Sequence, residues 1–147
     1  MEYISNRKAG HDYSLEESIE AGIELFGYEV KSIRAKHGSL VGSYAIIRGG
    51  EAYLLNAFIP PFQEKNAPES YDPRRTRKLL LNKKELAELA QREREGGLTL
   101  VPISLYNKGR KLKLQIAIAR GKKKQDKRET LKKRTTEREV RREHKFR

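Results

Sequence analysis

The sequence predicts a mainly β protein: a small closed antiparallel barrel with a few short helices, followed by a basic C-terminal tail. Apolar and polar residues alternate over residues 12–25 and again over 110–119, which is the period of a strand with one solvent-facing side. Two apolar runs are joined through Arg48-Gly49-Gly50-Glu51, and Gly-Gly between such runs indicates a hairpin because both central positions need positive φ. Five or more short antiparallel strands of this kind favour a closed barrel.

The first long strand is predicted from Asp12 to Leu25, with a bend at Gly22. Most of its odd-numbered positions are apolar, whereas Glu20 belongs to the polar, solvent-facing parity. Ser14 with Glu17 offers a capping box for a helix instead, but helical spacing explains fewer of the apolar positions. A short helix is predicted after Gly27, ending by Gly38.

Two hairpins and a longer helix complete the predicted body. The first hairpin pairs residues 40–47 with 52–57, and the second pairs 98–106 with 110–119, which places Lys111 and Lys113 on the outer face. Between the hairpins, a helix is predicted to begin at Asn82 and to stop at Gly96-Gly97. The prolines at 60–61 and 68–73 indicate loops.

The positive charge is concentrated at the C-terminus. The 147 residues include 33 Lys and Arg against 20 Asp and Glu, a net charge of +13. Residues 120–147 hold 14 of those bases and five acids, but they include few apolar residues. We therefore predict a folded domain over 1–119 and a tail over 120–147 that is disordered when free, because it cannot offset its ordering entropy.

The tail also carries a helical signal. An acid precedes a base by four residues in Glu129/Lys133, Glu137/Arg141 and Glu143/Arg147, and each such pair favours helix by a few tenths of a kcal/mol. The tail is therefore predicted to become helical against a polyanion. The alternative is a permanently solvated tail that only raises solubility.

Composition excludes several classes of protein. The chain has no Cys, which rules out disulfides, iron–sulfur clusters and thiolate zinc sites. It has neither an apolar run long enough for a membrane span nor a signal peptide at its start, so we expect a cytoplasmic protein without membrane association. No cofactor is expected.

Catalytic constellations are poorly formed. The three histidines, at positions 11, 37 and 144, lie in different segments without the spacing of metal ligands. A magnesium-dependent nuclease could use four scattered carboxylates: Asp12, Glu20, Glu29 and Asp72. Such acids on a basic surface are more often partners of Lys and Arg, and no nucleophile, base and orienting group converge. We therefore expect no enzyme activity and no metal site.

Nucleic-acid binding is what the charge favours. The bases cluster in Asn6-Arg7-Lys8, Arg74-Arg75-Thr76-Arg77-Lys78 and Gly121-Lys122-Lys123-Lys124, and such density neutralises phosphates. Five tyrosines could stack on bases, although a Tyr on an apolar strand face is more often core: Tyr13, Tyr28, Tyr44, Tyr53 and Tyr106.

Specific strings identify a family. Residues 6–9, 11–13 and 20–23, and above all Gly27-Tyr28-Glu29-Val30-Lys31-Ser32-Ile33-Arg34, closely resemble the opening of the SmpB family, the tmRNA-binding proteins of bacterial trans-translation. Further similar strings follow in order at 72–81, 101–102, 105–106, 119–123 and 126–128. The resemblance covers nearly the whole chain and implies an OB-type barrel.

The resemblance also implies a set of RNA-binding residues in the body. By similarity, the tRNA-like domain of tmRNA would be contacted by Asn6, Arg7, Glu20, Leu80, Lys113 and Gly121, with Glu20 accepting hydrogen bonds from base or ribose donors. Beyond the residues given by similarity, six cations are predicted to bind the same RNA, chiefly by positioning phosphates in the case of Arg74, Arg77 and Lys78. These six are Lys8, Lys31, Arg34, Arg74, Arg77 and Lys78.

Members of this family bring tmRNA to stalled ribosomes, together with elongation factor Tu and GTP. Their tail becomes helical in the empty mRNA channel, beyond the decoding centre of the small subunit, so that the incomplete protein is tagged and the ribosome rescued. Here the tail contacts would be Lys122, Lys123, Lys124, Gln125, Asp126, Lys127 and Arg128. Gln125 stands where some members have His. A monomer is expected, and the alternative is a generic ribosomal-RNA-binding or RNA-chaperone protein.

Overall fold

A computed structural model describes residues 1–121 of the chain. These residues form seven strands, three α-helices and a short 3-10 helix at Glu64–Asn66. In chain order the elements are β1 (Glu2–Ser5), α1 (Ala9–Asp12), β2 (Tyr13–Ile23), α2 (Gly27–Arg34), β3 (Tyr44–Arg48), β4 (Glu51–Leu55), β5 (Arg77–Leu80), α3 (Lys83–Glu95), β6 (Leu98–Lys108) and β7 (Lys111–Gly121).

Six of the strands close into an antiparallel ring in the order β6-β3-β4-β5-β2-β7, with β7 returning to β6. The strand β1 adds to the second half of β6, at Ser104–Tyr106, beyond the point where β3 pairs with Leu100. The prediction of a small, mainly β, antiparallel barrel with a few helices is confirmed.

The interior of the ring is filled by aliphatic side chains from both halves of the chain. Leu54, Leu105 and Leu114 are completely buried, and they pack with Ile33 of α2 in one apolar cluster. Burial of a side chain of this size stabilises the fold by about 1.5–3 kcal/mol. The helix α2 is thereby held against the barrel by its apolar side, which leaves Lys31 and Arg34 exposed.

The predicted turns and the longer helix are confirmed. Gly49 and Gly50 have φ of 59° and 75°, as the hairpin between β3 and β4 requires. The helix α3 begins after Asn82, whose Oδ1 accepts a hydrogen bond from the Glu85 amide at 2.8 Å. It ends at Gly96, which has a φ of 82°.

Other predictions need correction. Leu15 is exposed because an irregularity in the pairing of β2 with β7, between Leu15 and Glu17, interrupts the predicted alternation. Neither β1, α1 nor β5 is predicted by the sequence patterns. The strand β7 continues through Arg120 and Gly121, two residues past the predicted end of the domain. The predicted tail contacts, residues 122–128, lie outside the described residues.

Within residues 1–121, no helix is long and apolar enough to cross a membrane.

Candidate nucleic-acid interface

Three residues form a row across the outer side of the barrel. Gly22 of β2 pairs with Leu80 of β5 on one side and with Lys113 of β7 on the other. The absent side chain of Gly22 makes room for Leu80, because a Cβ on Gly22 would lie only 3.1 Å from the Cβ of Leu80. Leu80 is 50% exposed, so the row presents an apolar side chain to solvent beside a cation.

A groove of about 350 Å³ surrounds this row. We call it the Leu80 groove; it is lined by Gly22, Ile23, Leu25, Val30, Arg34, Leu80, Arg110, Lys111, Leu112 and Lys113. Arg34 Nη2 donates a hydrogen bond to the Arg110 carbonyl oxygen at 3.1 Å, which joins α2 to the β6–β7 hairpin. The groove therefore combines an apolar floor with four cationic side chains at its walls.

Glu20 lies two residues before Gly22 on the same strand, and its carboxylate is held in place from the neighbouring hairpin. The Tyr106 hydroxyl donates to Glu20 Oε2 at 2.6 Å, and Lys108 Nζ donates to Oε1 at 3.1 Å. These two hydrogen bonds hold the pKa of Glu20 below its usual value, and the bond from Tyr106 has the larger effect. Burial and the bond to Glu20 raise the pKa of Tyr106 to about 12, so Tyr106 remains a donor at neutral pH.

The Glu20 carboxylate is ionised and one third exposed. Each of its oxygens accepts one hydrogen bond from the protein, and a carboxylate has about four lone-pair positions. It can therefore accept further bonds from base or ribose donors, while the cations of the Leu80 groove attract phosphates.

Arg77 is a correction to the predicted RNA contacts. Its side chain is completely buried, and its Nε donates to Glu29 Oε2 at 2.8 Å. Its Nη1 and Nη2 donate to the carbonyl oxygens of Ala57 and Pro73. The guanidinium is used inside the protein, because a buried cation requires a paired anion and satisfied donors. It is not available to a phosphate.

Glu29 is the centre of this buried network. Arg75 approaches the carboxylate through Nε and Nη2, and the Tyr71 hydroxyl donates to Oε2 at 2.8 Å. Burial raises the pKa of Glu29, but hydrogen bonds from Arg75 and from the Phe26 amide, with the charge of Arg77, lower it further than burial raises it. The network joins α2 to β5 and to the loop before β5.

The remaining predicted cations differ in their surroundings. Arg7, Lys8 and Lys31 are exposed. Arg74 is exposed and lies over the Phe58 ring at 5.2 Å, whereas Lys78 pairs with Glu51 at 3.1 Å. The bond and charge of Glu51 raise the pKa of Lys78.

Asn6 and Gly121 lie away from the Leu80 groove. Asn6 is 7% exposed, and its Nδ2 donates to the carbonyl oxygens of Leu40 and Pro102 at 3.3 and 2.9 Å. Asn6, Lys8 and Tyr13 line a second groove, and Gly121 pairs with Tyr13. Gly121 is eight residues along β7 from Lys113, or about 26 Å at 3.3 Å per residue. The structure thus brings Glu20, Arg34, Leu80 and Lys113 together and separates Gly121 from them.

Three of the four carboxylates considered for a nuclease are paired within the protein, and the fourth, Asp12, lines the groove of Asn6, Lys8 and Tyr13. Glu29 is paired with arginines, Glu20 with Tyr106 and Lys108, and an Asp72 oxygen accepts the Arg74 amide at 2.9 Å. In residues 1–121, no three His, Asp or Glu side chains come together to hold a metal ion.

Sequence patterns missed Gly22, Tyr106, Lys108 and Arg110 as parts of this site. For Gly22 the sequence predicts only a bend, and the family string at 20–23 contains this residue without giving it a role. The other three residues belong to the long β6–β7 hairpin. No local sequence pattern predicts which strands lie next to this hairpin in the ring.

The chain is similar to known proteins in sequence and in structure. The family model described as SmpB protein matches residues 3–146. The SsrA-binding protein of Staphylococcus saprophyticus is 51% identical over 97% of this chain and 92% of its own length. That of Microcystis aeruginosa is 47% identical over 92% of this chain and 88% of its own length.

Among solved structures, a chain described as "tmRNA-SmpB: a journey to the center of the bacterial ribosome" superposes with a TM-score of 0.68. It is 48% identical to this chain, and the match covers 82% of this chain and 85% of that one. The family resemblance of the sequence strings is therefore confirmed. The chain belongs to the SmpB protein family.

Proposed function

We propose that this protein binds tmRNA through its tRNA-like domain and brings it to stalled ribosomes. The observation that carries the proposal is the Leu80 groove, where an exposed apolar side chain and four cations lie beside the positioned Glu20 carboxylate, two residues from Gly22 on β2. The relatives named SsrA-binding protein and the tmRNA-SmpB neighbour support the identity of the RNA.

In this proposal the groove distinguishes a folded RNA from a generic polyanion. Lys113, Arg34 and Arg110 neutralise phosphates, a contribution that any RNA would receive. Glu20 repels phosphates and can only accept hydrogen bonds from base or ribose donors. It therefore favours an RNA whose donors lie opposite it. Leu80 contacts an apolar base or sugar face. The protein acts by binding alone, without catalysis.

The tail completes the proposed function. Residues 122–128, with their excess of Lys and Arg, occupy the mRNA channel of the small subunit and become helical there. Together with elongation factor Tu and GTP, a cytoplasmic monomer would thereby place tmRNA on a ribosome that lacks mRNA beyond its decoding centre. Tagging of the incomplete protein and rescue of the ribosome follow.

The test is competition binding at about 0.2 M salt, where weak phosphate contacts are suppressed. Labelled tmRNA is bound to the full-length protein and challenged with equal masses of unlabelled tmRNA, transfer RNA and ribosomal RNA. We expect unlabelled tmRNA to compete far better than the others. Equal competition by all three would replace this proposal with generic RNA binding, and cleavage that EDTA stops would replace it with a nuclease.

Glu20→Ala should weaken tmRNA binding by about tenfold, because hydrogen bonds to a charged acceptor are strong. Purely electrostatic attraction predicts the opposite, since removing an acid raises the positive charge. The matched control is Glu17→Ala on the same strand, where the lost acid is paired with Arg92 and lies five residues from Gly22, whereas Glu20 lies two residues from it. Tighter binding by both variants would exclude the acceptor role.

A further inference from the structure

A third groove, of about 420 Å³, lies beside the Leu80 groove and is lined by Phe26, Tyr53, Arg75 and Lys78. We call it the Phe26 groove. The geometry points to a second RNA subsite here, in which one unpaired base of the bound RNA stacks on Phe26 and Arg75. This inference rests on the proposed function and extends it to a base that stacks outside the Leu80 groove.

The stacking surface is formed by two flat groups in contact. The Arg75 guanidinium carbon lies 4.2 Å from the centre of the Phe26 ring, within the range of a cation–π interaction. The Tyr28 ring packs on Phe26 at 5.4 Å, and Tyr71 packs edge-on against Tyr28 at 5.0 Å. Phe26 nevertheless remains 49% exposed, so the ring is supported by neighbours without being covered by them.

Arg75 is fixed before any ligand arrives. Its Nε and Nη2 both donate to the Glu29 carboxylate, which is completely buried and also held by Arg77. A surface Arg normally loses rotamer freedom when it binds, whereas this one has already lost it on folding. The buried network thus gives the Phe26 groove a rigid wall.

The charges of the groove favour a base over a phosphate. Arg75 is paired with Glu29, and Lys78 is paired with Glu51 at 3.1 Å. Glu24 also lines the groove, and it interacts electrostatically with Lys78. The cations that would attract a phosphate are therefore already neutralised, while every base has a face that can stack.

The position of the groove identifies its occupant as the same RNA. Leu25 lines both the Phe26 groove and the Leu80 groove, and the Glu24 amide donates to the Lys78 carbonyl oxygen at 3.0 Å between them. An RNA bound at the Leu80 groove is therefore separated from the Phe26 groove by only the Leu25 side chain. The chain's own basic tail begins after Gly121, at the opposite end of β2 from this groove, and lacks aromatic residues other than Phe146.

The test compares the full-length protein with Phe26→Leu, which keeps an apolar side chain but removes the ring. We expect Phe26→Leu to weaken tmRNA binding by at least about fivefold, the lower range for loss of one stacked base. Because stacking releases no counterions, the loss should be equal at about 0.05 and 0.2 M salt. Lys113→Ala, in contrast, should make affinity less dependent on salt: the negative slope of log affinity against log salt should become shallower by about one.

Two control variants distinguish stacking in the Phe26 groove from nonspecific RNA binding by exposed aromatic rings. Phe62→Ala removes another exposed aromatic ring, one that does not line the groove, and should leave the affinity unchanged. Phe26→Tyr restores a ring and should bind like the parent protein. Ultraviolet crosslinking of the parent complex, followed by mass spectrometry, should place a nucleotide adduct on Phe26, and urea unfolding should show that each variant folds.

The outcomes are distinct. If the parent protein prefers tmRNA but Phe26→Leu binds equally well, the subsite is wrong and the proposed function stands. Equal losses in Phe26→Leu and Phe62→Ala would also contradict it, since exposed aromatic rings would then contribute to RNA binding whether or not they line the Phe26 groove. If the parent shows no preference for tmRNA, the proposed function fails and the subsite falls with it.

Discussion

At the scale of single residues, the arginines of the basic run at 74–78 have different surroundings. Arg74 is exposed, Arg75 supports Phe26, and Arg77 is completely buried against Glu29. Within β5, Arg77 points inward and Lys78 outward, because successive side chains of a strand point to opposite faces, whereas Arg74 and Arg75 lie in the loop before the strand. A cation on the inner face persists only where an anion meets it, and Glu29 comes from a helix 48 residues earlier.

Glu29→Gln should destabilise the protein by about 3–5 kcal/mol at pH 7, because it leaves Arg77 buried without its counter-charge. Urea unfolding of both proteins measures the difference. The pKa of Glu29 is lowered in the folded state, so its stabilisation is present above the unfolded value, near 4.5, and is lost as the pH falls through the folded value. The gap between the two proteins should therefore narrow in acid.

The matched control for this prediction is Glu51→Gln, which removes a carboxylate from the exposed pair with Lys78. Exposed ion pairs contribute little, so its unfolding curve should be close to that of the parent protein. A loss in Glu29→Gln no larger than that in Glu51→Gln would contradict the role of the buried network.

At the scale of elements, three strands meet at Gly22, and their packing requires that position to lack a side chain. Gly22→Ala would place a Cβ 3.1 Å from Leu80 Cβ. Rotation of the Leu80 side chain does not move its Cβ, so β2 and β5 must shift slightly apart, and we expect a loss of about 1–3 kcal/mol in stability. The displaced Leu80 should also lower the affinity for tmRNA several-fold.

A double-mutant cycle tests whether the two residues act together. If Gly22→Ala works by moving Leu80, then combining it with Leu80→Ala should add little to the loss from Leu80→Ala alone. Gly27→Ala is the control, since nothing lies within 4 Å of a Cβ placed there. Fully additive losses, or an unchanged affinity in Gly22→Ala, would contradict this explanation.

Elements with strong local signals could be predicted, and those defined by distant partners could not. The Gly49-Gly50 turn and the Asn82 cap are local, and the structure has both. The strand β5 could not be predicted, because it begins within a basic run that has the composition of an exposed segment. Arg77 can be buried there only because the distant Glu29 pairs with it. Likewise, Leu15 is exposed by an irregularity in its pairing with β7, which no pattern within β2 reveals.

The same distinction applies to the candidate site. The family resemblance supplied Glu20, Leu80 and Lys113, and ring closure brings them to one surface. Composition alone pointed equally to Arg77, which is internal. The Phe26 groove had no sequence signal, because its aromatic rings and Arg75 come from segments about 50 residues apart.

At the scale of the whole molecule, the barrel separates two ends. The Leu80 groove lies at the Gly22 end of β2, whereas β7 delivers the chain to the tail beside Tyr13, about 26 Å away. In the proposed function, RNA recognition and the sensing of an empty mRNA channel therefore belong to different ends of one rigid sheet.

This separation predicts the effect of removing residues 122–147. The shortened protein should keep its affinity for tmRNA within about twofold at 0.2 M salt, where the tail's weak phosphate contacts are suppressed. It should fail to support tagging in a reconstituted translation reaction stalled on an mRNA without a stop codon. Its urea midpoint is measured first, since every described core residue is retained.

A variant with Gln at positions 122, 123 and 124 serves as the control that preserves chain length. If attraction to the ribosomal RNA of the channel is what the tail contributes, this variant should lose part of the tagging activity. The loss should shrink as salt rises, because the parent tail releases more counterions on binding and its binding therefore weakens more steeply with salt. Equal loss of tmRNA affinity and of tagging in the shortened protein would show instead that the tail belongs to the RNA-binding surface.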